Sequence, residues 1–360
     1  MSYKCYYQHT QGLTLVELLI AMALSLVLLG SASTLFLANK TTHRLNAAIA
    51  ELQENARFAA TLISKDIRMA GFQGCASRDP QHLLVNHVAN PPETFSPTHG
   101  IEGWETATLN TSPGHYTLVQ NSPVSDASIT GWKSSLTNTP HLDASSFAVA
   151  QTDIVRIWRT TGDPVSGNRY DSTFQAHSST PYAARDLILL TDCQGAELAL
   201  VCSLSGKTAD FACVDNQVFS TPDPASGLQA FQYTGVLYYV GKRSKVARNP
   251  PALYRRIISK NALAETAQEV VEGIESLQIV YGEDTAEPHG EANQYVPADE
   301  VANWKNVVSV NIELLTRSTE PVLSADEPQP ILYNGANLTA NDGYLRYPFH
   351  FSVALRNRLP

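Results

Sequence analysis

Cysteine is scarce in this 360-residue chain, with Cys5, Cys75, Cys193, Cys202 and Cys213 its only five. No two of them stand in the C-x-x-C spacing that a zinc site favours. The ten histidines are scattered, without an H-E-x-x-H or a close H-x-H pair, so the usual metal-hydrolase signature is missing. No G-x-S-x-G nucleophile turn is present either. Gly206-Lys207-Thr208 echoes the end of a phosphate loop, but Val201 occupies the position of the loop's first glycine. Basic residues are also in deficit, 25 Lys and Arg against 34 Asp and Glu, for a net charge of −9. That balance argues against nucleic acid as a main partner, because a phosphate-binding face shows as a basic excess. Asp284, Glu287, His289 and Glu291 form an acidic loop without the EF-hand order, which reads as solvated rather than as a calcium site. The sequence therefore predicts no enzyme, no catalytic residue, no metal and no cofactor.

What is present lies at the front. Gly12-Leu13-Thr14-Leu15-Val16-Glu17 opens an apolar run to Ala38, and the twenty-two residues between Glu17 and Lys40 carry no charge. At about 1.5 Å per residue this suffices to cross about 30 Å of hydrocarbon as a helix. Glu17 then sits at the mouth of a membrane segment, where an ionisable group needs a partner. A secretory signal places its cleavage site after the apolar region. Here the glycine comes first, so a cut after Gly12 would leave the helix on the mature chain.

This arrangement resembles the class III signal of type IV pilins and type II secretion pseudopilins. The resemblance implies that a prepilin peptidase cuts after Gly12 and methylates the new amino terminus at Leu13. Members commonly begin with Phe, and Leu13 departs from that while remaining large and apolar. Glu17 becomes the fifth mature residue, one helical turn from the free amine, and in an assembly it can meet the amine of a neighbouring subunit. The leader, residues 1–12, takes Lys4 and Cys5 with it, which moves the net charge from −9 to −10.

Four cysteines then remain, an even number suited to the oxidising periplasm. They allow three pairings; the short loop favours Cys202–Cys213, with Cys75–Cys193 tying the helix end to a sheet. The helix is predicted as a membrane part, 13–38, with softening near Gly30-Ser31 and Ser33-Thr34, and an amphipathic continuation, 39–71. Leu45, Ile49, Leu52, Ala56, Ala59, Ile63 and Ile67 mark the apolar stripe and Gly71 the stop. From 72 to 360 a periplasmic β-rich domain is expected, with a loop-rich insertion at about 78–146 punctuated by Pro and Gly. Strand signals follow at Asp153–Arg159, bounded by Thr161-Gly162-Asp163-Pro164, at Leu187–Leu190, Val236–Val240 and Leu253–Ile258. The basic loop from Lys242 to Arg248 reads as a solvated turn. Period-2 alternation places Leu277, Ile279 and Tyr281 on one face. It does the same for Val308, Val310, Ile312 and Leu314, and for Phe349, Phe351, Val353 and Leu355.

Asp66-Ile67-Arg68-Met69-Ala70-Gly71-Phe72-Gln73-Gly74-Cys75 is similar to the helix end of PilW-type minor pilins. Glu272–Leu277, Val308–Arg317 and Val353–Asn357 resemble further motifs of that family. The resemblance implies a pilin-like α+β fold, one long N-terminal helix packed on a largely antiparallel β-rich domain. It also implies a structural role in initiating type IV pilus assembly, within a priming or tip complex that supports adhesion and twitching motility. The partners implied are other minor pilins, the major pilin, prepilin peptidase, the inner-membrane assembly platform and a large tip adhesin. The implied location is the inner membrane and then the pilus. A J-type minor pseudopilin of type II secretion is the alternative, and a membrane-anchored periplasmic enzyme a third reading. Gly12→Ala is expected to block processing, so that mass spectrometry of the N-terminal peptide returns the intact Met1 leader; a mature chain starting at Leu13 in that variant would reject the cleavage assignment.

Overall fold

A computed structural model of the protein describes residues 14–72, 74, 85–86, 99–106, 132–136, 148–149, 151–192, 195–212, 225–242, 250–258, 267–286, 290–324 and 328–358. It begins with one uninterrupted helix, α1 (Leu15–Arg68), of 54 residues. At about 1.5 Å per residue that is about 80 Å. The weak helix formers near residue 30 do not break it. The hydroxyls of Ser31 and Ser33 donate to the carbonyls of Val27 and Leu29, at 2.9 and 2.8 Å, and so stay inside the helical hydrogen-bond pattern. Met69 caps the far end and Gly71, at a φ of 66°, turns the chain away.

Among the described residues the first half of α1 is exposed throughout, whereas the second half buries Ala48, Leu52, Ala56, Ala59, Ala60, Ile63, Asp66 and Ile67. The expected stripe is thus corrected at both ends. Leu45 is half-buried and Ile49 exposed, Ala48 faces the domain instead, and the buried row includes an aspartate.

Twelve strands build the large sheet: β1 (Val85–Asn86), β2 (Ile101–Thr106), β3 (Trp132–Lys133), β4 (Ile154–Tyr170), β5 (Thr173–Ala176), β6 (Leu187–Thr191), β7 (Ala196–Leu200), β8 (Ser203–Ser205), β9 (Thr208–Asp210), β10 (Ala225–Gly241), β11 (Ala252–Ile258) and β12 (Gln268–Glu272). A second sheet holds β13 (Ile274–Glu283), β14 (Gln294–Val296), β15 (Val307–Arg317) and β18 (Arg346–Ala354), in the order β14-β13-β15-β18. Between β15 and β18 the chain makes a two-stranded hairpin, β16 (Gln329–Tyr333) with β17 (Ala336–Ala340). Apart from the parallel β1–β7 contact, the described strand pairs are antiparallel.

The main core joins three layers. Ala59, Ile63 and Ile67 of α1 meet Val155, Ile157, Val236 and Tyr238 of the large sheet and Leu277, Ile279, Val310 and Ile312 of the small one. The small sheet's alternation follows the sequence pattern, with one shift. A register irregularity at Gly282/Glu283 puts Val307 in the core cluster and leaves Val308 outside it. The predicted end of the first strand is also wrong. β4 runs through Thr161-Gly162-Asp163-Pro164, because these residues form a bulge: Thr161 faces Gln232 and Val165 faces Ala230. Inside the supposed loop insertion, β2 is a strand buried along its whole length. Lys242, read as part of a solvated turn, is buried, and that burial lowers its pKa; residues 243–249 lie outside the described residues.

Helix and domain are latched at the helix end. The buried carboxylate of Asp66 lies 2.9 Å from Arg159 Nε on β4 and 3.3 Å from Arg255 Nη2 on β11, and accepts from the Tyr238 hydroxyl on β10 at 2.6 Å. Asn357, in the final turn, donates to the open carbonyls of Arg68 and Ala70 at 3.2 and 3.1 Å. Removing the acid would leave two guanidinium groups facing one another without their counterion. Asp66→Ala is expected to destabilise the full chain in detergent by about 3–5 kcal/mol, with Asp66→Asn milder because an amide oxygen still accepts from Tyr238. Thermal unfolding checks this, and an unchanged midpoint in Asp66→Ala would refute the latch.

Candidate membrane-anchoring and assembly site

The site is the start of α1. Thr14 is the N-cap, in extended conformation, and its hydroxyl oxygen accepts from the Glu17 N–H at 3.3 Å. Glu17 answers with one oxygen, Oε2, which accepts from the Thr14 N–H at 3.0 Å and from its hydroxyl at 2.9 Å. This is a capping box, in which the two residues satisfy one another's orphan groups. The pattern T-x-x-E before an apolar run is its sequence signature, a signal available in residues 14–17 beyond the one used above. Gly12 and Leu13 lie outside the described residues.

Beyond the cap the helix presents apolar side chains on every side. Leu15, Leu19, Leu24, Leu28 and Phe36 are all more than half exposed. A helix that is apolar all round needs an apolar surrounding. The segment is long and apolar enough to cross a membrane, and none of it is buried within the protein. Its hydroxyls do not oppose this: Ser25, Ser31, Ser33, Thr34, Thr41 and Thr42 donate to carbonyls three or four residues back, so none needs water.

The cysteines are a second feature. Cys202 is disulfide-bonded, whereas Cys75, Cys193 and Cys213 lie outside the described residues. Among the described residues no group of three or more His, Cys, Asp or Glu is arranged to hold a metal ion. Of the acidic loop, Asp284 accepts from the Gly290 N–H at 2.7 Å; Glu287 and His289 lie outside the described residues.

Two family models match the chain where the geometry is distinctive. Residues 8–33 match the prokaryotic N-terminal methylation motif, which spans the cap and the exposed apolar helix. Residues 237–357 match the Type IV Pilus-assembly protein W model. Over that segment, about a third of the chain, the protein is similar to the PilW family. The family so matched acts in type IV pilus assembly and is typically non-catalytic. The PilW match runs from β10 to the last turn and so includes the latch residues Tyr238, Arg255 and Asn357. A type IV-like pilin from Thermus thermophilus is similar at 14% identity, over 50% of this chain and 87% of that one, with a TM-score of 0.22. No curated protein matches.

For the disulfide, β8 and β9 supply a constraint. Ser203 faces Asp210 and the Cys202 N–H donates to the Asp210 carbonyl at 2.7 Å, so Cys202 enters the hairpin beside the strand end that leads to position 213. Peptide mapping without reduction is expected to return Cys202 joined to Cys213, with Cys75 joined to Cys193. A Cys202–Cys75 or Cys202–Cys193 peptide would overturn the pairing.

Proposed function

We propose that this protein is a minor pilin, cut after Gly12, methylated at Leu13 and held in the inner membrane by residues 13–38 with its β-rich domain in the periplasm. It enters a complex of minor pilins that primes the pilus and stays at its tip, in contact with the major pilin, the assembly platform and a large adhesin. The observation that carries the reading is the exposed, uncharged first half of α1 behind a single carboxylate. In a filament those apolar faces pack against the helices of neighbouring subunits, which replaces contact with lipid. The size of the domain suits a tip better than a shaft that repeats one small unit.

Glu17 has two tasks on this reading. Oε2 holds the cap, and Oε1, which takes no part in it, meets the amine of the neighbouring subunit. Charge and cap can be separated, because Gln also serves in a capping box whereas Ala does not. Glu17→Ala and Glu17→Gln are both expected to leave cleavage largely intact, with N-methylated Leu13 seen by mass spectrometry of the membrane-extracted protein. Both are expected to reduce pilus number and twitching. Normal piliation in Glu17→Gln beside a defect in Glu17→Ala would reduce Glu17 to its capping role; normal piliation in both would remove it from assembly.

A further inference from the structure

The second half of α1 has an outer side that the domain does not use. At 3.6 residues per turn, Lys40, Glu51, Glu54, Phe58, Lys65 and Arg68 fall on one arc of about 100°, facing away from the buried row. All six are exposed, Phe58 at 56%. Along this arc the charges run basic, acidic, basic, with Phe58 between the acids and the second basic pair. Among the described residues no ion pair engages any of the five charged groups. Their one contact with the domain is the Thr319 hydroxyl, which donates to Glu51 Oε1 at 3.5 Å.

The spacing of these charges is selective. Lys40 to Glu54, Glu51 to Lys65 and Glu54 to Arg68 are each fourteen residues, and each joins opposite signs. Two copies lying side by side in the same direction, one raised by fourteen residues, therefore set three opposite pairs face to face. At equal depth every one of the five charges meets its own like. An offset of seven residues makes no pair at all. One of eleven makes two, Lys40 with Glu51 and Glu54 with Lys65, but sets Arg57 against Arg68. At fourteen, only His43 against Arg57, at the rim of the arc, gains nothing. Antiparallel helices would match signs too, but two chains that both enter the bilayer through residues 13–38 point the same way.

We propose that this face docks a second copy of the chain, parallel to the first and raised by about 21 Å, the rise of fourteen helical residues. The proposal rests on the minor-pilin reading above and adds to it a partner and a register. Exposed ion pairs are individually weak, so here they select the offset. Adhesion comes from the uncharged, exposed first half of the same helix, which continues this surface without a break. Copies at one depth in the bilayer present like charges and stay apart. Raising one copy replaces those contacts with three opposite ones and sets Phe58 of the lower copy against the turn that holds Ala47 of the raised one. The charge order thus opposes pairing at rest and favours it once a subunit has moved outward.

Disulfide cross-linking of two differently tagged full-length copies in piliated cells tests this, with Ala47→Cys in one and Thr61→Cys in the other. Both positions are exposed and uncharged, and they stand fourteen residues apart on the arc. Peptide mapping is expected to return position 47 joined to position 61, about tenfold above the 47–47 and 61–61 products of either variant alone. Lys65→Glu in the copy carrying Thr61→Cys is expected to remove that excess, and Glu51→Lys in the other copy to restore it. Arg68→Glu with Glu54→Lys repeats the exchange where a chain of the first swap does not fold. Preferential joining of like positions, no 47–61 product from chains that start at Leu13, or a swap without recovery overturns the docking. An intact Met1 leader removes the minor-pilin reading and the docking with it, so the N-terminal peptide tells the two failures apart.

Discussion

A helix of 54 residues with half its length outside the protein has to be held by the other half, and the buried Asp66 carboxylate fixes how. An apolar stripe alone lets a helix slide by a turn, since one Ala or Ile is much like the next along Ala56, Ala59, Ile63 and Ile67. A carboxylate with two guanidinium groups and a phenol around it does not tolerate that shift, because every displaced partner is a charge or hydroxyl left without water. Asn357 adds a second stop by closing the Arg68 and Ala70 carbonyls. Along the same helix, weaker polar contacts follow: Asn55 donates to the Glu272 carbonyl at 3.1 Å and Arg44 to that of Pro321 at 3.3 Å. The register of α1 against three strands of the large sheet, and therefore the direction of its free half, depends first on Asp66.

Charge is used inside this domain in two opposite ways on one strand. Glu102 and Glu105 both lie on β2, and both are buried. Burial alone would raise the Glu102 pKa, but the Arg156 charge, with bonds from His99, Arg156 and Trp158, holds it low. Arg156 in turn lies 4.8 Å from the centre of the Trp104 ring and 5.4 Å from that of Trp158, so its flat cation is sandwiched by aromatics. At Glu105, burial and then the acid of Asp299 push the pKa up to about 7 instead. Loss of the Glu102 charge in acid and loss of the Glu105 proton toward neutral pH both weaken the same strand, from opposite directions. β2 is therefore held best in the window between them.

These partnerships explain what the sequence disclosed and what it concealed. The long helix, the alternation in β13, β15 and β18, and the glycine-led start of the chain are local patterns, legible in a window of a dozen residues. The pairing of Val236–Val240 with Leu253–Ile258 follows the same logic, with Val236 opposite Ile257. β2 was hidden because Ile-Glu-Gly-Trp-Glu-Thr has neither period 2 nor a low charge count. Glu102 becomes a core residue through partners such as Arg156, 54 positions away in the chain. The bulge in β4 was hidden by Gly162-Asp163-Pro164, which reads as a turn until β10 is known to run past it on the other side. Asp66 is a further case: helical periodicity puts it beside the apolar stripe, but nothing local says that two arginines wait there. At the candidate site the position of Glu17 was legible, and the T-x-x-E pattern signalled its bond to Thr14, which the helix start at Leu15 completes.

Glu17 and Asp66, about 70 Å apart on one helix at about 1.5 Å per residue, show why a single element can serve both lipid and a folded domain. Each is an acid in surroundings where a bare charge is costly. Asp66 is satisfied by side chains distant in sequence, so it belongs to the folded domain and holds α1 in one place. Glu17 is satisfied by the helix's own first turn, so it needs no other part of the chain and keeps one oxygen unspent. The domain therefore imposes no constraint on the front of the helix. On the proposed function, that end leaves lipid for a neighbouring helix without disturbing any contact that the β-rich domain depends on.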